Sequence, residues 1–164
     1  HTFTPGERFS LGGVDVETFA TPHDAAQSTG YALSAGGKKA AVVTDLGHVT
    51  DEVAEGIRGA QLLVAEANHD VDWLQSGPYP YFLKSRILGD RGHLSNEAGA
   101  QLVCRAVEEG ARTVVLAQLC RENNTPQRAY DVARSALEHR GVRVGQDVRL
   151  EVAPRDQTGE RYRI

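Results

Sequence analysis

Methionine is absent from all 164 residues, position 1 included. A chain that opens on His1 is therefore expected to be a processed product or part of a longer protein. Cysteine is nearly absent: Cys104 and Cys120 are too few for the disulfide framework of a small secreted scaffold, so a reducing cytoplasm is the expected setting. Lysine occurs only at Lys38, Lys39 and Lys84, which leaves most cationic chemistry to arginine. No apolar run approaches the ~20 residues that a membrane span needs, and no signal or transit pattern is legible at the start. No G-x-G-x-x-G and no phosphate loop follows a strand, which argues against a nucleotide-binding α/β domain. The net charge of −4 argues against a general basic coat for nucleic acid and leaves room for a local basic groove.

What remains is a chain long enough for one core, without repeats or low-complexity tracts. Phe9 to Ala20 alternates around Val14, Val16 and Phe19, with Gly12-Gly13 as a turn. Tyr31–Leu33 and Ala40–Thr44 flank AGGKK, the pattern of a hairpin. Gln61–Ala65 and Thr113–Ala117 are short continuous apolar runs, as expected of strands covered on both faces. A last strand is expected over Val148–Val152. Three helices are predicted between them: Asp51–Arg58, Ser95–Glu109 ending at Gly110, and Thr125–Arg140 with Pro126 at its first position and Gly141 after it. Helices alternating with strands give an α/β fold.

Chemistry collects after the strands. His23 and Asp24 follow the first long strand, and Asp45 and His48 follow AAVVT. Glu66, Asn68, His69 and Asp70 follow QLLVA, and Gln118, Cys120, Arg121 and Glu122 follow TVVLA. Singly, each residue has a structural explanation: Asp45 as a turn former, Glu66 as an arginine partner, Cys104 as core packing. Ligands in α/β sheets bind outside the carboxyl ends of strands, so these exits could share one site. Histidines with carboxylates suit Zn²⁺ or Mn²⁺. The segment Tyr79–Asn96 adds Lys84, Arg86 and Arg91, with Ser95 and Asn96 at a helix start, a setting that suits a phosphate. Its other reading is an amphipathic surface loop ahead of a capped helix.

The strings TPHDA…TGYAL, VVTDLGHVT, LLVAEANHD, GPYPYFLKSRILGDRGHLSN and LAQLCRENNTP resemble, in order and spacing, the C-terminal half of the YycJ/WalJ-type metallo-β-lactamase-fold hydrolases, which are related in fold to ribonuclease Z. The likeness runs over most of Phe9 to Leu137. It implies half of an αββα sandwich: a mixed sheet with helices on one face, residues 1–164 being the C-terminal portion of a single domain. It also implies a metal-dependent phosphodiesterase acting on nucleic acid, a DNA exonuclease with two divalent ions, Zn or Mn. By the same resemblance His23 matches a metal-ligating histidine, Asp45 the aspartate that bridges two metals, and Glu66 the glutamate of a proton-relay pair. His69 and His93 would donate a proton or hold substrate phosphate, with Lys84, Arg86, Ser95 and Asn96 as substrate contacts.

Two departures from the family pattern shape the expectation. The string HxHxDH, which supplies the remaining ligands in the family's N-terminal half, does not occur here. Gln118 stands where the family carries a histidine, and an amide is a poorer zinc ligand than imidazole. The resemblance therefore implies an active parent and an inactive isolated chain, whose exposed sheet face pairs with the N-terminal half or another chain. The competing expectation is a non-catalytic fragment or degenerate member that binds nucleic acid or a protein partner.

Overall fold

Seven strands lie across one sheet in the order in which they occur in the chain. The computed structural model describes residues 2–164. The strands are β1 (Arg8–Leu11), β2 (Val14–Ala20), β3 (Thr29–Ala35), β4 (Lys38–Val43), β5 (Leu62–Glu66), β6 (Thr113–Ala117) and β7 (Arg149–Val152). The helices are α1 (Asp51–Ile57), α2 (Val71–Ser76), α3 (Tyr81–Leu88), α4 (Asn96–Glu108) and α5 (Pro126–His139). From β1 to β4 the strands are antiparallel, and from β4 to β7 parallel. The β3–β4 hairpin turns at Gly36 and Gly37, with φ of 55° and 76°. Two consecutive positive φ values define the turn whose twist matches paired strands, and glycine adopts them without steric cost.

Because β2 and β4 both run antiparallel to β3, β2 is parallel to β4, and so to β5 and β6. All four carboxyl ends therefore open on one edge of the sheet. That single topological fact brings residues from positions 23, 45, 66 and 118 together.

Paired residues share a face, so Ala32, Ala41, Leu63, Val114 and Leu150 form one row, and all are buried. α1, α4 and α5 pack on this side. The opposite row, Tyr31, Val42 and Val64, is half-buried and carries no helix. α4 places Leu102, Val103 and Ala106 in the core, starts on Ser95 Oγ, which accepts from the Ala98 N–H (3.2 Å), and is followed by Gly110. α5 starts on Thr125 Oγ1, which accepts from the Arg128 N–H (3.2 Å), with Pro126 next. Each such cap contributes about 1 kcal/mol, and each fully buried Leu or Val side chain about 1.5–3 kcal/mol.

Two helices were not legible beforehand. α2 has six residues and one buried side chain, Leu74; Asp70 caps it by accepting from the Trp73 N–H (2.9 Å). α3 replaces the expected loop, has no side-chain cap and buries none of its residues, so it carries no apolar stripe to read. Among the described residues no helix is long and apolar enough to cross a membrane.

Candidate metal centre

β2 delivers its chain through Pro22 to His23. β4 ends at Val43, and Asp45 lies two residues beyond it with φ of 59°. β6 ends at Ala117, and Gln118 follows it, also at φ 59°. These are the two non-glycine residues in the left-handed region among the described residues, a conformation that costs on the order of 1–2 kcal/mol and clusters at functional sites. β5 ends on Glu66, whose side chain is fully buried.

His93 arrives from the loop between α3 and α4. Its own N–H donates to Ile87 O (3.0 Å), and the flanking segment is stitched to the β5 exit by Asn68 N–H to Leu94 O (3.0 Å) and Asn96 N–H to His69 O (2.8 Å). Gly92 lies so close under α3 that a Cβ would sit 2.1 Å from Ile87 O. Only glycine fits there.

One donor atom from each of His23, Asp45 and His93 lies within 4.8 Å of the others. His93 Nδ1 is 3.9 Å from Asp45 Oδ1, and the two imidazole rings are 4.9 Å apart. His23 Nδ1 meets the Gly92 carbonyl at 2.9 Å. A carbonyl only accepts, so Nδ1 donates to it, and Nε2 faces Asp24 Oδ1 at 3.5 Å. Arg91 donates to the His23 carbonyl through two nitrogens (3.2 and 3.0 Å), and Asp24 pairs with Arg86. This pairing holds Asp24 below the usual carboxylate range, first through the Arg86 hydrogen bond.

Glu66 Oε1 is 2.5 Å from His93 Nδ1, while its Oε2 accepts from the Leu46 N–H at 3.1 Å. Burial pushes Glu66 up, against the pull of the His93 hydrogen bond. Burial also works against charge on His93, but the Glu66 hydrogen bond and charge, with Asp45 and Asp24, leave it above the ordinary histidine value. Gln118 Nε2 donates to Asp45 Oδ1 at 2.5 Å, and the Gln118 carbonyl accepts from Asn68 Nδ2 at 2.7 Å.

His23 and Asp45 offer an imidazole and a carboxylate that suit one divalent ion of the zinc or manganese kind, with coordination positions left over, while His93 beside them is engaged by Glu66 through Nδ1. It does not fit a pair. Gln118 offers an amide whose N–H group already faces Asp45, and among the described residues no further His, Cys, Asp or Glu joins the cluster.

The other expected site residues divide. Arg86 lines a cleft of about 420 Å³ together with His23, His93 and Gln118, walled by Tyr79 and by Leu83 and Ile87, the last two not singled out by the sequence. Lys84 instead donates to Gln75 O (2.7 Å) and ties α3 to α2. Ser95 is occupied as the α4 cap, and Asn96 is buried in a hydrogen-bonded pair with Asn124 (3.1 and 2.8 Å), so neither faces the cleft. His69 is 1% exposed and neither ring nitrogen has a partner among the described residues. Burial lowers it to about 4, with His93 acting in the same direction, so it is neutral near pH 7. A groove of about 740 Å³ between α4 and α5, beside Trp73, holds none of the clustered donors.

A profile of the beta-lactamase superfamily domain matches residues 1–117. The chain is 37% identical over 144 residues to exodeoxyribonuclease YycJ of Bacillus anthracis, an alignment that covers 88% of this chain and 54% of that protein. It is 36% identical over 150 residues to exodeoxyribonuclease WalJ of Streptococcus pneumoniae, covering 92% and 56%. The chain thus spans about half the length of the curated relatives it matches. Among solved structures it is similar to the metallo-β-lactamase fold protein YhfI of Bacillus subtilis (TM-score 0.64, 14% identity, 92% of this chain and 51% of that one). It is also similar to Zn²⁺-bound PqqB of Methylobacterium extorquens (TM-score 0.56, 21% identity, 93% and 49%). At those identities the structural likeness concerns the fold.

Proposed function

The chain belongs to the beta-lactamase superfamily, and on that premise we propose that it is the C-terminal portion of a metal-dependent phosphodiesterase, a DNA exonuclease whose two-metal centre is completed by residues outside these 164. The observation that carries this reading is the convergence of His23, Asp45 and the Glu66–His93 pair on one sheet edge. Divalent zinc or manganese ions held there would supply Lewis-acid stabilisation of phosphoryl charge and acidify water near neutral pH. His23 and Asp45 are the metal donors of this half. His93, fixed by Glu66, holds a proton within reach of a leaving oxygen at the cleft, and Arg86 contacts the substrate phosphate.

The half-buried row Tyr31, Val42 and Val64 is the surface against which the other half of the domain would pack. The unpaired Cys104 and Cys120 accord with a reducing cytoplasm. One observation favours a second reading, a non-catalytic member that binds nucleic acid or a protein: Gln118 takes a hydrogen-bond position on Asp45 that a metal would need. Metal analysis and a nuclease assay of the full-length protein, as wild type and Gln118→His, decide between the two. Cleavage by either form supports the hydrolase; cleavage by neither rejects it.

A further inference from the structure

We propose that Tyr79 positions the substrate, its hydroxyl donating to a non-bridging oxygen of the phosphate next to the scissile one. This rests on the nucleic-acid reading of the cleft and adds a specific contact to it.

Tyr79 sits in Gly77-Pro78-Tyr79-Pro80, the link between α2 and α3. Each proline fixes its own φ, and a residue that precedes proline is held to extended backbone. Pro80, at φ −64° and ψ 152°, leads directly into α3. The helices on either side of the link are tied together by Lys84 on Gln75 O (2.7 Å). Tyr79 is thus carried on a stiff strap, and its side chain lines the same cleft of about 420 Å³ as His23, His93 and Gln118.

The other donors of that cleft are engaged. Asn68 Nδ2 donates to Gln118 O (2.7 Å), and Gln118 Nε2 to Asp45 Oδ1 (2.5 Å). His23 Nδ1 is on the Gly92 carbonyl, His93 Nδ1 is on Glu66, and Arg86 is charge-paired with Asp24. The Tyr79 hydroxyl differs: among the described residues its one partner is Cys120 Sγ, at 3.9 Å. Sulfur is a weak acceptor, and this one already takes Asn123 Nδ2 at 3.4 Å. Burial, then the Cys120 hydrogen bond, raise the Tyr79 phenol above its ordinary value, so it keeps its proton at neutral pH. A phosphate oxygen is the better acceptor, since hydrogen bonds to an ionised group are about twice as strong as neutral ones.

Position selects which phosphate. Cys120 stands two residues beyond Gln118, and two residues span at most about 7 Å. Gln118 itself bonds Asp45, so the hydroxyl lies a short step from the clustered metal donors and not among them. Leu83, Ile87 and Leu119 line the same cleft and offer a phosphate no side-chain donor.

The test uses the full-length protein loaded with Mn²⁺, an end-labelled DNA duplex, and bis(p-nitrophenyl) phosphate, a diester with a single phosphorus. Tyr79→Phe removes only the hydroxyl. It is expected to raise KM for DNA about tenfold with kcat unchanged, the scale of a hydrogen bond to a charged group. Hydrolysis of the small diester, melting temperature and zinc affinity should stay as in wild type, while duplex binding in EDTA, read by fluorescence anisotropy, weakens by a similar factor. A methylphosphonate at the linkage next to the scissile one should cost the wild type as much and cost Tyr79→Phe nothing further. Equal losses on both substrates, no loss on DNA, a loss in kcat alone, or an additive methylphosphonate effect would overturn the proposal. So would the same loss in Cys120→Ala, which would assign the hydroxyl to holding the loop. If the wild type cleaves no DNA with metal bound, the nucleic-acid reading falls and the Tyr79 contact with it. If it cleaves DNA and Tyr79→Phe is indifferent, the Tyr79 contact alone falls.

Discussion

Asp45 and Gln118 lie 73 positions apart in the chain, share a left-handed backbone at φ 59°, and meet through a 2.5 Å hydrogen bond from Gln118 Nε2 to Asp45 Oδ1. Two strand exits thus bend in the same way to aim side chains at one point. Histidine is among the residues that enter this region more readily than most. Gln118→His should therefore fold normally, release Asp45 Oδ1 and add an imidazole. We expect zinc affinity of the full-length protein to rise by at least tenfold, the scale on which groups bonded to a ligand tune a metal. Competition against a chromogenic chelator measures this; equal affinities would mean that Gln118 is no substituted ligand.

Glu66→Gln keeps the shape of the Glu66–His93 contact and removes its charge. His93 stands above the ordinary histidine value despite burial because Glu66, Asp45 and Asp24 favour its proton. Without the Glu66 contribution burial gains, so the His93 titration should move down. Proton NMR of the imidazole Cε1–H of metal-free protein follows it directly, and an unchanged midpoint would detach His93 from Glu66.

Asn124 closes the loop behind the site by donating to Ala67 O (2.9 Å), Asn68 O (3.1 Å) and Asn96 Oδ1 (2.8 Å). Asn124→Ala leaves buried acceptors unpaired and should cost about 2–3 kcal/mol in urea unfolding. A loss below about 1 kcal/mol would show that water replaces the amide.

His69 binds a proton near pH 6.5 when unfolded and near pH 4 when folded. Between those values the unfolded chain holds more protons, so stability is fully present above about pH 6.5 and falls as the pH drops through that window. The slope contributed by this group reaches about 1.4 kcal/mol per pH unit. Thermal melts of wild type should decline from pH 7 to pH 5 more steeply than those of His69→Leu. At pH 7 the variant should be near wild-type stability, because it removes two unpartnered buried polar atoms. Parallel declines would exclude His69 as the cause.

Local patterns were readable wherever local chemistry decides. The caps Ser95 and Thr125, the stops Gly110 and Gly141 and the Gly36-Gly37 turn each act within four residues of where they stand, and the corresponding elements form as expected. α2 and α3 escaped because one buries a single side chain and the other none, so neither imprints a period on the sequence. Ser95 and Asn96 show the converse. As residue types at a helix start they suit a phosphate, yet a cap and a buried amide pair consume them.

By itself the sequence determined the strands, three of the helices, the family and the set of polar strand exits, because periodicity, caps and motif strings are written in consecutive residues. Which exits meet was decided by the tertiary structure. An antiparallel meander followed by parallel crossovers sends β2, β4, β5 and β6 to one edge, and Gly92 lets the His93 loop close against α3. The Gln118 amide on Asp45 and the Tyr79 hydroxyl beside Cys120 depend on that packing, since distance across a sheet is fixed by strand order and not by position in the chain.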